Sequence, residues 1–198
     1  AHEIVLRHFS MKAITALAVS SMAANFAASE IDLINPSLIL TQVPFKISDI
    51  IGSITLIGPI AAIVAIVFMR TIIYLGTIPK KINIKIWQAP IIAGICCGLC
   101  GMIFDEILGI GTDTLMLIIT SNQGTFYLLT LLAGKLILTS ICIGFGFFGG
   151  TYSPALFLGA IVGALVFQLP IENLSPDFLA ILAVCGMAAV SSSVIGAP

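Results

Sequence analysis

The sequence has 198 residues, 59% of them hydrophobic and 9% charged, with 8 Lys and Arg against 9 Asp and Glu for a net charge of −1. Together with a mean hydropathy of +1.19, this excludes an ordinary water-soluble domain, and the lack of a basic patch excludes nucleic acid as a partner. The expected class is an all-α, polytopic, multi-pass integral membrane protein whose surroundings are the lipid bilayer, because hydrocarbon tolerates helices and closed barrels and little else.

Six apolar stretches follow one another: Lys12 to Ser29, Ile50 to Gly76, Trp87 to Phe104, Thr125 to Ile143, Pro154 to Leu169 and Phe178 to Ser193. A full crossing takes roughly twenty apolar residues, and the second stretch is long enough to tilt steeply. A short helix is expected around Asp113 to Thr120. The first run follows Arg7 and Lys12 without a cleavage context and belongs to a series, so it does not read as a signal peptide. Because the chain opens Ala-His-Glu and closes Gly-Ala-Pro, it is expected to be a fragment.

Charge sorts the loops by side. Arg7 and Lys12 flank the start of the first stretch, whereas Glu30, Asp32 and Asp49 outnumber Lys46 after it. Arg70, Lys80, Lys81 and Lys85 surround the next junction, and Asp105, Glu106 and Asp113 the one beyond. Basic loops mark the cytoplasmic side, so the chain starts inside, goes out, returns and goes out again. Glu172 and Asp177 form a further acidic outer loop, and from Leu136 to Ile171 there is no charge at all. The simplest path between the two outer loops is a descent to mid-membrane and a return through Gly144 to Ser153.

That return is the most informative stretch. Glycines crowd its first half, and Ser153-Pro154 reads as N-cap and first helical residue, since Pro lacks only an N–H that would be orphaned there anyway. A helix start leaves about four free N–H groups and roughly half a positive charge. Glycines let a ligand reach the backbone, which makes an anion site without a cation. Gly149, Gly150, Thr151, Tyr152 and Ser153 are the expected donors, and Pro154 marks the helix start. The bland reading is a glycine-rich turn. Gly94-x-x-x-Gly98, Gly101 and Gly159-x-x-x-Gly163 are packing stripes.

Gly149-Gly150-Thr151-Tyr152-Ser153-Pro154, followed by Ala-Leu-Phe-Leu-Gly-Ala, resembles the Gly-x-Phe-x-Pro anion-selectivity motif of the CLC chloride channels and chloride/proton exchangers, with Tyr152 where the family usually has Phe. The run from Glu106 to Leu115, and Gly186-Met-Ala-Ala with Gly196-Ala-Pro198, resemble the family in the same order. The resemblance implies an inverted-repeat fold with broken, re-entrant helices, chloride as the transported ion, no cofactor, and a homodimer with one pore per subunit. It implies residues 1–85 as the end of the first repeat and first crossings, and residues 86–198 as second-repeat helices, with the filter helix starting near 151–154. The family's gating glutamate, serine loop and coordinating tyrosine have no counterpart in these residues, so one wall of the ion site is expected.

The remaining candidates divide between chemistry and packing. Lys135 is a charge well inside the stretch Thr125 to Ile143, and a buried structural role is weighed against a place beside the ion path. By resemblance, Glu3 aligns with an acid at the inner end of a helix, against the plain alternative of a helix-end acid near Arg7. Ile4 falls where proton-coupled members carry a glutamate, which favours a channel over an exchanger. His2 and His8 lack a third ligand and read as interfacial. Cys96, Cys97, Cys100, Cys142 and Cys185 read as helix-packing residues, because Cys97-x-x-Cys100 has no second pair to complete a metal site. Ser191-Ser192-Ser193 reads as backbone-bonding. An intramembrane hydrolase would need a Ser–His or Asp–Asp pair in a span, and none occurs. A noncatalytic membrane scaffold is the other rival, and no enzyme activity is expected.

Overall fold

Apolar residues on every side of a helix leave it no face for water, and the run from Pro154 to Val166 builds such a helix. The computed structural model describes residues 19–20, 22–23, 26–27, 51–83, 87–102, 104–109, 111–147, 149–169 and 178–196. The chain divides into two units, Ala1–Ile39 and Leu40–Pro198. In the first, the described residues are helical and fall within the expected stretch Lys12 to Ser29. In the second the helices are α1 (Ile51–Lys81), α2 (Gln88–Gly101), α3 (Thr112–Thr120), α4 (Thr125–Gly144), α5 (Tyr152–Phe167) and α6 (Phe178–Ile195), with a 3-10 turn at Asp105–Ile107. No strand occurs among the described residues. The all-α class and the order of stretches are as the sequence predicts.

Three helices, Ile51–Pro79, Thr125–Gly144 and Phe178–Ile195, are long and apolar enough to cross a membrane. Their outward faces carry bare hydrocarbon: Ile63, Ile66, Ile73 and Phe126 are exposed, as lipid-facing side chains should be. With 31 residues, α1 is roughly 46 Å long, well beyond a hydrocarbon core of about 30 Å. It runs past the expected end at Gly76, and in its last turns the Lys81 ammonium lies 6.0 Å from the centre of the Tyr74 ring.

Close packing, rather than escape from water, is what holds apolar helices together in lipid. α5 lies at the centre and packs against α6, α1, α4 and α3. Its contact with α6 is backbone on backbone. A Cβ at Gly159 would meet the Gly186 carbonyl, one at Gly163 the Leu182 carbonyl, and one at Gly186 the Gly159 carbonyl. The expected stripe Gly159-x-x-x-Gly163 is therefore a true close approach. Around it, Phe157, Ile161, Ile118, Leu128 and Leu131 form one core cluster and Leu158, Val162, Phe68, Ala61 and Val190 a second.

The chain departs from expectation at α2. Its 14 residues end at Gly101, not Phe104, because the chain folds back there: Leu108 sits so close that a Cβ at Gly101 would lie 2.9 Å from its Cγ. The 3-10 turn follows, then Gly109 at φ 59° and Gly111 at φ 71°, left-handed backbone that suits glycine. Gly111 is doubly constrained, since a Cβ there would also come within 2.7 Å of the Phe157 ring.

The far end of α4 is fixed by its contact with α1. α4 has 20 residues, about 30 Å. A Cβ at Gly144, its last residue, would lie 2.8 Å from the Gly76 nitrogen and 2.9 Å from the Leu75 carbonyl carbon. The turn after α4 thus lies beside the last turns of α1, nearer its basic end than its middle.

Candidate anion site

The connection between α4 and α5 is built from two different uses of glycine. Gly146, at φ 96°, ends α4: its N–H donates to the Ile143 carbonyl at 3.1 Å and the Phe147 N–H to the Cys142 carbonyl at 3.0 Å. This paired pattern is the Schellman termination, which occupies carbonyls that a helix end otherwise leaves free. Gly149 and Gly150 are unlike it. Neither has a left-handed φ, and a Cβ on either would meet nothing within 4 Å. Neither backbone conformation nor packing among the described residues requires glycine at these two positions.

α5 begins at Tyr152, with Thr151 as its N-cap at φ −80° and ψ −11° and no side-chain cap. The expected cap at Ser153 and first helical position at Pro154 therefore move: Ser153 is the second helical residue and Pro154 the third. All first-turn amides are orphans in any helix, so a missing N–H is tolerated equally at either place, and the sequence could not choose between them. The first backbone bond runs from the Ala155 N–H to the Thr151 carbonyl at 3.1 Å. Among the described residues, the amides of Gly149, Gly150, Thr151, Tyr152 and Ser153 donate to no carbonyl.

These residues open onto a cavity of about 270 Å³ whose lining includes Gly149, Gly150, Ser153 and Pro154 from the turn, Lys135 and Cys142 from α4, Cys97 from α2 and Gly109 from the 3-10 connection. Thr151 and Tyr152 do not line it, and the Tyr152 side chain is exposed. The turn's two glycines and Ser153 are thus brought together with Lys135. Glu3, Ile4, His2 and His8 lie outside the described residues.

Lys135 is 3% exposed. Its Nζ donates to the Ile107 and Gly109 carbonyls, at 2.7 Å each, and lies 4.7 Å from the centre of the Phe157 ring. A lysine in a spanning helix needs such acceptors, because an unpaired ammonium in hydrocarbon is costly. The side chain therefore ties the 3-10 connection to α4, the structural role weighed for it. An ammonium has three donors, and two are used on carbonyls, so the charge is held at the wall with one donor to spare. Lys135 and the α5 N-terminus both make the cavity positive.

The serine run and the cysteines are also placed by these helices. The Ser191 and Ser193 hydroxyls donate to the Met187 and Ala189 carbonyls, at 2.7 and 2.8 Å, and Ser192 also donates to Ala189, so the serine run bonds its own helix. Cys96, Cys97, Cys142 and Cys185 are half-buried and Cys100 exposed, less enclosed than packing residues are expected to be. Among the described residues no group of three or more His, Cys, Asp or Glu could hold a metal. What sequence reading missed was the opposite wall, Ile107 to Gly109. Its signal was present: a lone lysine in an apolar helix, preceded by a Gly-x-Gly segment free to turn its carbonyls toward it.

The voltage gated chloride channel family matches the chain over residues 1–198. An H(+)/Cl(-) exchange transporter ClcA of Vibrio cholerae is 25% identical over 204 residues, covering 96% of this chain and 42% of the relative. Chloride channel protein CLC-f of Arabidopsis thaliana is 29% identical over 119 residues, 56% of this chain and 15% of its own length. The ClcA of Klebsiella pneumoniae is 30% identical over 121 residues, 59% and 25% respectively. No solved structure gives a significant match. The chain spans less than half the length of these relatives. It is an integral, multi-pass membrane protein, and with the family matched from end to end on helices of this kind, the chain belongs to the voltage gated chloride channel family.

Proposed function

We propose that the turn from Gly149 to Ser153 is one wall of a chloride pathway, in which main-chain amides at the start of α5 hold a partly dehydrated anion while Lys135 sets the local potential. The observation that carries this is the pair Gly149 and Gly150: residues that neither fold nor packing requires to be glycine, at an uncapped helix start, facing a cavity. Glycine there serves the close approach of something else to the backbone. Several amides suit conduction better than one fixed cation, because the ion must also leave. Pro154 lies in the first turn of α5, and Thr151 and Tyr152 add amides beyond the cavity wall.

The second wall is assigned to parts of the full protein beyond these residues. Residues 1–85 are read as the end of the first repeat and 86–198 as helices of the second, with a homodimer as the working assembly. Exchange of chloride for protons is the second reading, favoured because ClcA, similar over 96% of this chain, bears that name. Crystals of the full-length protein soaked in bromide test the site. Anomalous density within hydrogen-bond reach of the Gly149, Gly150 and Ser153 amides is expected, and a bromide-free turn would overturn it. Proteoliposome flux with and without a pH gradient separates the two readings: chloride movement that drives no protons removes the exchanger.

A further inference from the structure

The turn that ends α4 places one large ring in the wall of the anion cavity. Phe147 lines the space onto which Gly149, Gly150, Ser153 and Lys135 open, and among the described residues it is the only aromatic side chain that does so. Its backbone is fixed by the Schellman pair, its N–H donating to the Cys142 carbonyl at 3.0 Å just after Gly146 at φ 96°. The far end of the ring rests on α2, its Cζ lying 3.7 Å from where a Cβ on Gly94 would be. Gly98, the other member of that expected packing stripe, meets nothing within 4 Å. Among the described residues, the bare backbone at Gly94 therefore seats the Phe147 ring rather than a second helix. The ring is tied through its backbone at one end and seated at the other, yet it is 45% exposed rather than enclosed in the core.

We propose that Phe147, seated on Gly94, is the residue that limits the size of the anion admitted to the Gly149, Gly150 and Ser153 amides. It deepens the chloride pathway argued above and rests on that reading. Main-chain N–H groups attract any anion, and nothing in them tells chloride from a larger one. A larger anion spreads its charge more widely and gives up water at lower cost, so amides alone would favour it. Exclusion needs a wall that does not yield. Lys135 is held back by the Ile107 and Gly109 carbonyls, and the turn itself offers the cavity only two glycines, Ser153 and Pro154. A phenyl ring is rigid beyond its second torsion, and this one is held at both ends. It brings shape and no hydrogen bond, so it selects while the amides hold. Two opposite changes follow. Removing the ring widens the space, whereas a leucine at Gly94 narrows it, because the ring already stands in ordinary contact with the Cβ position and the carbons beyond must push it inward.

The test uses the full-length protein, with iodide as the large anion and chloride as the small one. In proteoliposomes, Phe147→Ala should raise the iodide-to-chloride flux ratio at least about fivefold over the wild type, with Phe147→Leu between the two. Gly94→Leu should lower the flux of both anions, iodide more than chloride. Adding Phe147→Ala to it should bring chloride flux to within about twofold of Phe147→Ala alone. Iodide-soaked crystals give a readout independent of flux: anomalous density beside the Gly149 and Gly150 amides should be stronger in Phe147→Ala than in the wild type, and Phe147→Leu takes this place where alanine harms folding. An unchanged flux ratio in both Phe147 variants overturns the wall, as does a Gly94→Leu defect that Phe147→Ala leaves in place. Gly150→Val scores the pathway separately. Chloride flux indifferent to Gly150→Val fails the pathway and the wall with it, whereas flux lost in Gly150→Val beside an unchanged ratio in Phe147→Ala fails the wall alone.

Discussion

At the C-terminal end of α5, Gln168 is fully engaged: Thr125 donates to its Oε1, and its Nε2 donates to the Gln123 carbonyl and, at 3.2 Å, to Asn122 Oδ1. At the N-terminal end, no side chain caps Thr151, and the amides from Gly149 to Ser153 have no carbonyl partner among the described residues. One helix thus has an end finished for stability and an end left open. A missing N-cap costs about 1 kcal/mol, and polar groups left unpaired near lipid cost more. A helix serving only to pack would gain by closing both ends, so the difference separates what holds α5 in place from what α5 presents.

Substitutions can break that comparison at several points. The largest effect is expected in the middle of α5. Gly163→Leu must drive a side chain into the Leu182 carbonyl and Ala183 Cα of α6, and because the obstacle is backbone the cost should exceed about 3 kcal/mol; size-exclusion chromatography and thermal unfolding in detergent should show little folded protein. Lys135→Met should come next. It leaves the Ile107 and Gly109 carbonyls without their donor, at a cost of about 3 kcal/mol, and should lower the melting temperature and expose the 3-10 connection to protease.

The two ends of α5 should then separate. Gly150→Val adds a side chain into open space, so stability should stay within about 0.5 kcal/mol, while chloride flux falls about tenfold, equivalent to about 1.4 kcal/mol. A fall in melting temperature with flux intact would show that the open end is structural after all. Gln168→Ala should behave in the opposite way, losing about 1 kcal/mol of stability with flux changed less than about twofold. If Gln168→Ala instead abolished flux at full stability, the division between the two ends would fail.

Much of this was legible beforehand because helices in lipid advertise themselves. Length and hydropathy set the stretches that became α1, α4, α5 and α6, and the expected short helix near Asp113 became α3. The turn from Gly149 to Ser153 was readable because crowded glycines without charge have few uses in a membrane. What stayed hidden depended on contacts distant in sequence. The fold-back at Gly101 follows from Leu108 lying against it, and the helix start moved from Pro154 to Tyr152 because proline is equally at ease anywhere in a first turn.

The anchoring of Lys135 bears on how the protein is made. An ammonium near the middle of α4 makes that helix a poor candidate for entering a bilayer alone, by about 2.5–3.5 kcal/mol on insertion scales. Its acceptors, Ile107 and Gly109, leave the ribosome 28 and 26 residues earlier. Synthesis therefore delivers the receiving carbonyls before the charge that needs them, and α4 can enter the membrane against a partner already waiting.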